Sequence, residues 1–133
     1  MTSLTTNTVV ITCPLGITLG GKRYSLNLNT YRNLHYQINS RLKREFCDLM
    51  CSQLNGLKPF GNNIDITYTL YTANKRLCDV RNITTIVDKF LCDALQHYSL
   101  IPDDNYNYCS KFHDYFGGID PANPRVEVTI KYD

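Results

Sequence analysis

Carboxylates are concentrated in one part of the chain. Five of the twelve acidic residues fall between positions 79 and 104, namely Asp79, Asp88, Asp93, Asp103 and Asp104. Hard cations such as Mg²⁺ take oxygen ligands, and proteins usually hold them through one or two carboxylates together with waters and substrate phosphates. Such ions activate water and stabilise the charge of a displaced phosphate ester. The cluster therefore permits metal-dependent hydrolysis of phosphodiesters.

The same carboxylates also have structural interpretations, and the pattern leaves both open. Asp79 could interact favourably with the positive N-terminal end of a following helix. Lys89 and Asp93 are four residues apart and could form a surface ion pair. The segment 102–104 has ordinary turn chemistry. Asp88 is expected to be solvated, since charges on helices are mostly exposed.

The spacing allows these groups to meet but does not require it. A helix from Asn82 to Gln96 would be about 21 Å long, and the return from Tyr98 to Asp104 covers up to roughly 20 Å if extended. The acidic pair at 103–104 could thus reach back towards Asp79 or stop halfway along the helix. A partner subunit could also complete the site.

Charge is divided unevenly along the chain. Residues 1–76 hold nine Lys and Arg against three acids, a net charge of +6, whereas residues 77–133 have a net charge of −4. This asymmetry suits a polyanion-binding surface beside a carboxylate-rich site. It equally suits two halves that attract each other, and composition does not choose between them.

The remaining composition excludes several classes of protein. No apolar run approaches the roughly 18 residues of a membrane span, and residues 1–10 lack the features of a signal peptide, so we expect a cytoplasmic protein that contacts no membrane. The six cysteines form no C-x-x-C pair and have no zinc-type spacing to the histidines, which predicts reduced thiols. Cys47 and Cys51 should share one helix face, without partner ligands. We predict one domain over 1–133.

Hydrophobic periodicity predicts the elements that must position the carboxylates. Helices are expected over about 31–54, capped by Asn29 or Thr30, and over 83–98, capped by Asn82. A Gly-containing loop should carry Lys22 and Arg23. Strands are expected over 8–13, 64–71, 106–116 (ending at Gly117-Gly118) and 125–132. The predicted class is α+β (α/β-like), with a small mixed β-sheet of about four to five strands packed with two long helices.

Three segments together resemble the RusA family of Holliday junction resolvases. They are Asp79-Val-Arg-Asn82, Lys89-Phe-Leu-Cys-Asp93-Ala-Leu and Ile101-Pro-Asp103-Asp104-Asn. The family has an acidic loop (D-x-D-N), a helix with a lysine followed by D-A-L, and an acidic pair after that helix. The resemblance covers nearly the whole chain and implies the RusA-like fold.

The resemblance also implies an activity and a role for each matching residue. Asp79 and Asp104, with Asp103, would bind Mg²⁺ (Mn²⁺ as the alternative ion), Lys89 would neutralise the scissile phosphate, and Asn82 and Asp93 would support the site. The family implies a homodimer that makes paired nicks in four-way DNA junctions, often encoded by phages or prophages. The residues expected to contact DNA are Arg41, Lys43, Arg44, Lys75, Arg76 and Arg81.

Two departures from the family pattern bear on activity. Arg81 stands where the second loop aspartate is expected, which removes a ligand and adds a positive charge. Asp93 lies eleven positions after Asn82 rather than about seven, which adds about one helical turn. Asp88 could supply the missing ligand from that turn. The leading hypothesis is a Mg²⁺-dependent endonuclease for branched DNA. The alternatives are a RusA-like protein that binds branched DNA without cutting it, and a protein–protein interaction module.

Overall fold

The computed structural model describes residues 7–61, 63–103 and 109–133. Within them the fold is α+β, as predicted, with a four-stranded mixed sheet, a two-stranded hairpin and four helices, two of them long. The elements are β1 (Asn7–Cys13), β2 (Gly16–Leu19), β3 (Lys22–Ser25), α1 (Leu28–Asn33), α2 (Tyr36–Leu49), α3 (Cys51–Leu54), β4 (Ile64–Thr72), α4 (Val80–His97), β5 (Cys109–Ile119) and β6 (Arg125–Tyr132). No helix among the described residues is long and apolar enough to cross a membrane.

The four-stranded sheet has the order β1-β6-β4-β5. The strands predicted around β1, β4 and β6 are confirmed, and in β6 Val126, Val128 and Ile130 are buried on one face as expected. β4 and β5 are parallel, whereas the other neighbouring strands are antiparallel. The chain must therefore return from the end of β4 to the start of β5, and α4 makes this crossover. Its N-terminus follows the end of β4, and its C-terminus precedes the start of β5.

The single helix predicted over 31–54 is wrong, because the chain forms α1, α2 and α3 there. Leu34 and His35 have extended backbones, with ψ angles of 145° and 143°, and His35 Nδ1 accepts a 3.2 Å hydrogen bond from the backbone N–H of Gln37 to cap α2. The predicted caps are also wrong, since Asn27 caps α1 by accepting from the N–H of Thr30. Apolar residues continue at steps of three or four across the break between α1 and α2, so the hydrophobic pattern does not show where one helix ends and the next begins.

Two other segments differ from their predictions. The expected loop around Lys22 and Arg23 is the hairpin β2–β3, whose turn residues Gly20 and Gly21 have φ angles of 56° and 81°, as the tight hairpin turn requires. β5 does not end at the two glycines but continues through them to Ile119. The predicted strand start at 106 lies outside the described residues.

The long helices pack against the sheet through one hydrophobic core. On α2 the buried residues are Leu42 and Phe46, and the rings of Phe46 and Phe90 of α4 are nearly perpendicular, with 5.7 Å between their centroids. Tyr68 of β4 is fully buried beneath the helices. These contacts fix α4 on the sheet and so fix the residues at both of its ends.

Candidate nucleic-acid and catalytic site

Asp79 lies at the start of α4. It is the residue that caps the helix, and its side-chain oxygen accepts a 3.1 Å hydrogen bond from the backbone N–H of Arg81. The prediction that Asn82 caps this helix is wrong, because α4 begins three residues earlier than the hydrophobic pattern suggested. A carboxylate at this position satisfies a helix N–H group and complements the helix dipole. Asp79 therefore has the structural role that the sequence left open, and it remains exposed to solvent.

Several predicted site residues surround Asp79 in a cleft of about 430 Å³. The loop between β4 and α4 contributes Asn74 and Arg76 to its lining, and α4 contributes Asn82. The loop is held by hydrogen bonds from Thr72 Oγ1 to the carbonyl of Asn74 and from the N–H of Arg76 to Asn74 Oδ1. The structure thus brings Asp79, Arg76 and Asn82 together at one end of the sheet.

Asn82 also connects two helices. Its Oδ1 accepts a 3.0 Å hydrogen bond from the backbone N–H of Leu28, the first residue of α1. The bond joins residues 54 positions apart in the sequence and holds the start of α1 against the first turn of α4. Asn82 therefore has a structural role between α1 and α4, and the supporting role that the resemblance implies at a metal site stays a prediction.

Arg81 directs its charge towards β5. Its Nε lies 3.8 Å from Asp114 Oδ2, and the Arg81 side chain is otherwise largely exposed. The guanidinium therefore has a carboxylate partner on the neighbouring strand, while the Arg81 backbone N–H contacts Asp79.

Lys89 and Asp93 lie further along α4 and contact other helices. Asp93 forms an ion pair with Lys43 of α2 at 3.5 Å, rather than the intrahelical pair with Lys89 that the spacing permitted. The Nζ atoms of Lys43 and Lys89 lie 5.8 and 5.9 Å from the centre of the Tyr31 ring, within the range of cation–π contacts. Lys89 is ten residues beyond Asp79, or about 15 Å along the helix axis. The structure of one chain does not bring Lys89 to Asp79.

Asp103 lies at the other end of α4 from Asp79. The helix has 18 residues and spans about 27 Å. After it, the carbonyl of Leu100 accepts a 2.9 Å hydrogen bond from the N–H of Phe60, which places this segment near the start of β4. Asp103 is exposed there. Asp104, which the resemblance favours as the metal ligand of the pair, lies outside the described residues.

The distance between Asp79 and Asp103 decides whether the two carboxylates can bind the same metal ion. In the described ranges, no three or more His, Cys, Asp or Glu side chains are grouped so that they could hold an ion. Asp79 and Asp103 are too far apart to share one, because Mg²⁺–oxygen distances are about 2.1 Å. A metal site that joins Asp79 to Asp103 therefore does not form within one chain.

Asp88 is not the solvated residue that the sequence predicted. It is partly buried, and the hydroxyl of the fully buried Tyr68 donates a hydrogen bond to its carboxylate. The Cys92 thiol donates to the same oxygen, with a sulfur–oxygen distance of 3.3 Å. Burial and the nearby charge of Asp88 raise the pKa of Tyr68 well above its ordinary value. Asp88 thus links α4 to the middle of β4.

The basic residues predicted to contact DNA lie in two places, on α2 and around the start of α4. Arg41 and Arg44 are exposed on α2, and Lys75 and Arg76 are exposed on the loop before α4. Lys43 is partly buried by its contacts with α1 and α4. Positive charge therefore lies both on the helical layer and beside Asp79.

Sequence reasoning missed one surface feature, which we name the apolar edge patch and define as Leu77, Phe112, Phe116 and Ile119. Leu77 is 97% exposed, and the other three side chains are each exposed by between 44% and 53%. Leu77, Phe116 and Ile119 line one cleft of about 370 Å³ beside the loop before α4. The four-residue spacing of the two phenylalanines within a strand was the available signal, since it predicts that they share a face.

Comparisons with known proteins add no support to the resemblance, which depends on the motif residues alone. No protein-family model matches the chain, and no curated protein matches it. The function is therefore argued from the motif residues and from their positions in the fold.

Proposed function

We propose that the protein is a metal-dependent, structure-selective DNA endonuclease of the RusA type. It would cleave phosphodiester bonds at Holliday junctions and other branched DNA during recombination, repair or replication, as a homodimer in the cytoplasm of a bacterial cell or phage-infected host. The observation that carries the proposal is the cleft at the junction of β4 and α4. There Asp79, Arg76 and Asn82 lie together directly after a strand and at the start of a helix, where the resemblance expects the acidic loop.

The residues of this cleft suit a phosphate backbone. Arg76 presents a guanidinium that matches two phosphate oxygens, and Lys75 adds a second positive charge on the same loop. Arg41 and Arg44 provide exposed charges on α2 for backbone phosphates further away. Such contacts position DNA without reading its sequence, and they weaken as salt rises because counterions are released on binding.

A second candidate function is binding of branched DNA without cleavage. Arg81 favours it, because this residue replaces the second loop carboxylate and pairs with Asp114 on β5. The positive charges on the β4–α4 loop and on α2 would be kept in such a protein, while the ligand set for an ion would be reduced. The two candidates differ in cleavage and share affinity for junctions.

The deciding experiment uses a labelled four-way junction and a linear duplex of matched sequence, each incubated with Mg²⁺ or with EDTA. Binding and nicking are scored together. Paired nicks in the junction alone, only with Mg²⁺, support the endonuclease. Tight junction binding without nicks selects the second candidate. Equal, salt-insensitive and weak binding to both DNAs contradicts both and favours an interaction module.

Asp79→Asn tests the site assignment. Asparagine caps helices as well as aspartate does, so α4 should remain folded while the carboxylate charge is lost. We expect nicking to disappear and junction affinity to remain. Asp48→Asn, at an exposed position on α2, is the matched control and should cut like the parent. If Asp79→Asn cuts like the parent too, the assignment is wrong.

Arg81→Asp tests the departure from the family pattern. The change restores the expected loop carboxylate, and a negative charge in the first turn of α4 is compatible with the helix dipole. We expect Mg²⁺-dependent nicking to rise. An unchanged dependence of the nicking rate on Mg²⁺ concentration would mean that the side chain at 81 points away from the ion.

A further inference from the structure

The end of β5 forms one wall of the cleft of about 370 Å³ beside the loop before α4, which we name the apolar cleft. Phe116 and Ile119 are three positions apart, and residues with this spacing point to opposite faces of a regular strand. The parallel register shifts by one residue at Gly117, however, so that Phe116 lies opposite Leu70 and Ile119 lies opposite Thr72. Such a bulge redirects side chains. It places Phe116 and Ile119 on the same face of the sheet, where both line the cleft.

The loop between β4 and α4 forms the other wall. Leu77 is 97% exposed and lines the cleft together with Val80 of the first turn of α4. A hydrogen bond from Thr72 Oγ1 to the carbonyl of Asn74 holds the start of the loop. The N–H of Asp120 donates to the Thr72 carbonyl at 2.7 Å, which attaches the loop to the end of β5. The two apolar walls are therefore fixed relative to each other.

The same loop separates the apolar cleft from the cleft that contains Asp79. Among the described residues, five line both clefts, namely Thr72, Asn74, Arg76, Leu77 and Cys78. The apolar cleft adds Phe116 and Ile119 to this shared wall, whereas the neighbouring cleft adds Asp79 and Asn82. A ligand that crosses the loop would place an apolar group beside Phe116 and a polar group beside Asp79.

Positive charge borders the apolar cleft. Lys75 and Arg76 belong to its lining and are exposed, and none of the described residues that line it is acidic. Asp114 lies two positions before Phe116 on β5, but Arg81 is 3.8 Å from its carboxylate and offsets the charge. Aromatic side chains beside basic residues are the combination that binds single-stranded nucleic acid, through base stacking and phosphate contacts.

We propose that the apolar cleft binds one unpaired base of a DNA strand, with the base stacked on Phe116 and an adjacent phosphate beside Arg76. The cleft volume of about 370 Å³ falls within the range of small-ligand sites, about 300 to 1,000 Å³. A protein partner would fill the apolar walls but would leave the basic border without a counterpart. This charge complementarity is the reason to assign the cleft to a nucleotide.

The inference deepens the proposed function and rests on it, because it names the feature that the protein recognises at a branch point. Bases within a duplex are stacked on one another, whereas unpaired bases are free to stack on an aromatic side chain. Every base has an apolar face, so the contact reads no sequence. Binding of an unpaired base therefore favours branched DNA over a linear duplex.

The first test measures affinity for single strands in EDTA, so that cleavage plays no part. An oligothymidine is compared with a fully abasic oligomer of the same length, which has the same phosphates and no bases. We expect Phe116→Ala to weaken oligothymidine binding by roughly 5- to 150-fold, the range for one base–aromatic stack. Binding of the abasic oligomer should stay unchanged.

Tyr115→Ala is the matched control. Tyr115 is 57% exposed and Phe116 is 53% exposed, and the two adjacent side chains lie on opposite faces of the same strand. Tyr115→Ala should bind oligothymidine like the parent. Equal affinity of the parent for the two oligomers, or an equal loss in both variants, overturns the base site.

The second test locates the base and does not depend on a truncated side chain. The chain contains no tryptophan, so Phe116→Trp introduces a single fluorescent reporter and keeps an aromatic surface. Stacking of a base on the indole quenches its fluorescence. We expect oligothymidine, but not the abasic oligomer, to quench Phe116→Trp and to leave Tyr115→Trp unchanged. Absence of quenching in Phe116→Trp, or equal quenching in both variants, contradicts the location.

The third test separates this inference from the proposed function. Affinities for the four-way junction and the linear duplex are compared, and the parent's preference for the junction should fall in Phe116→Ala and persist in Tyr115→Ala. A preference that survives Phe116→Ala overturns the role of the cleft in selectivity. A parent that cuts junctions with Mg²⁺ but binds both oligomers equally supports the nuclease and refutes the base site. A parent that prefers oligothymidine but never cuts refutes the nuclease and supports the base site.

Discussion

The hydrogen bond between Tyr68 and Asp88 offers a measurable link between α4 and the sheet. Tyr68→Phe removes only the hydroxyl oxygen, and the Asp88 carboxylate then loses one donor while it keeps the Cys92 thiol. Tyr68 is only 1% exposed, so water does not reach the hydroxyl position easily. Hydrogen bonds to charged groups contribute about 1.5 to 3 kcal/mol. We expect the free energy of unfolding to fall by about 2 kcal/mol.

Urea denaturation and thermal melting measure this loss. For a chain of 133 residues, the unfolding entropy at the midpoint is about 0.28 kcal/mol/K, so a loss of 2 kcal/mol lowers Tm by about 7 °C. Tyr36→Phe is the control, because Tyr36 is 70% exposed on α2, and it should change stability by less than about 0.5 kcal/mol.

A double-mutant cycle with Asp88→Ala isolates the pair itself. If the hydrogen bond carries the stabilisation, Tyr68→Phe should cost much less once Asp88 is already alanine. Two results would refute the reasoning. One is a loss below about 0.5 kcal/mol in the parent, and the other is an equal loss in both backgrounds.

Two further predictions concern β1 and β5. Gly117→Ala should destabilise the protein by about 1 to 3 kcal/mol, because the added Cβ would lie 2.6 Å from the ring of Tyr71; thermal melting without a decrease in Tm would contradict this. Burial raises the pKa of Cys13 from 9.0 to about 12, so above pH 9 the unfolded state releases a proton that the folded state keeps. The free energy of unfolding should therefore fall as pH rises from 9 to 12, by about 1.4 kcal/mol per pH unit from this thiol. Urea denaturation of Cys13→Ala at several pH values should lack this contribution to the pH dependence.

The elements with a complete hydrophobic pattern were predictable from sequence. β4 and β6 alternate buried and partly exposed residues along their length, and α4 has an apolar stripe that only a helix explains. The break at Leu34 and His35 was not predictable in the same way. No Gly or Pro marks it, and the apolar spacing continues across it, so only the capping bond of His35 reveals the new helix.

The candidate site was predictable in its residues more than in its geometry. Asp79 and Arg76 are three positions apart in the sequence, and both line the same cleft. The partners of Asn82 and Asp93 lie on other helices, 54 and 50 positions away respectively, at Leu28 and Lys43. Spacing along the chain carries no information about such partners, because tertiary packing decides which helix faces meet.

The order of the strands has a consequence for how the molecule forms. β6 lies between β1 and β4, so the first and last strands that the structure describes are neighbours, with Asn7 opposite Tyr132. β1 therefore has no partner in the sheet until residues 125–132 have left the ribosome. The hairpin β2–β3 and the helices can form from local contacts much earlier. Pairing of β1 with β6 comes later, because it joins residues that are far apart in the sequence. Loss of the final eight-residue strand would remove a central strand and separate β1 from the rest.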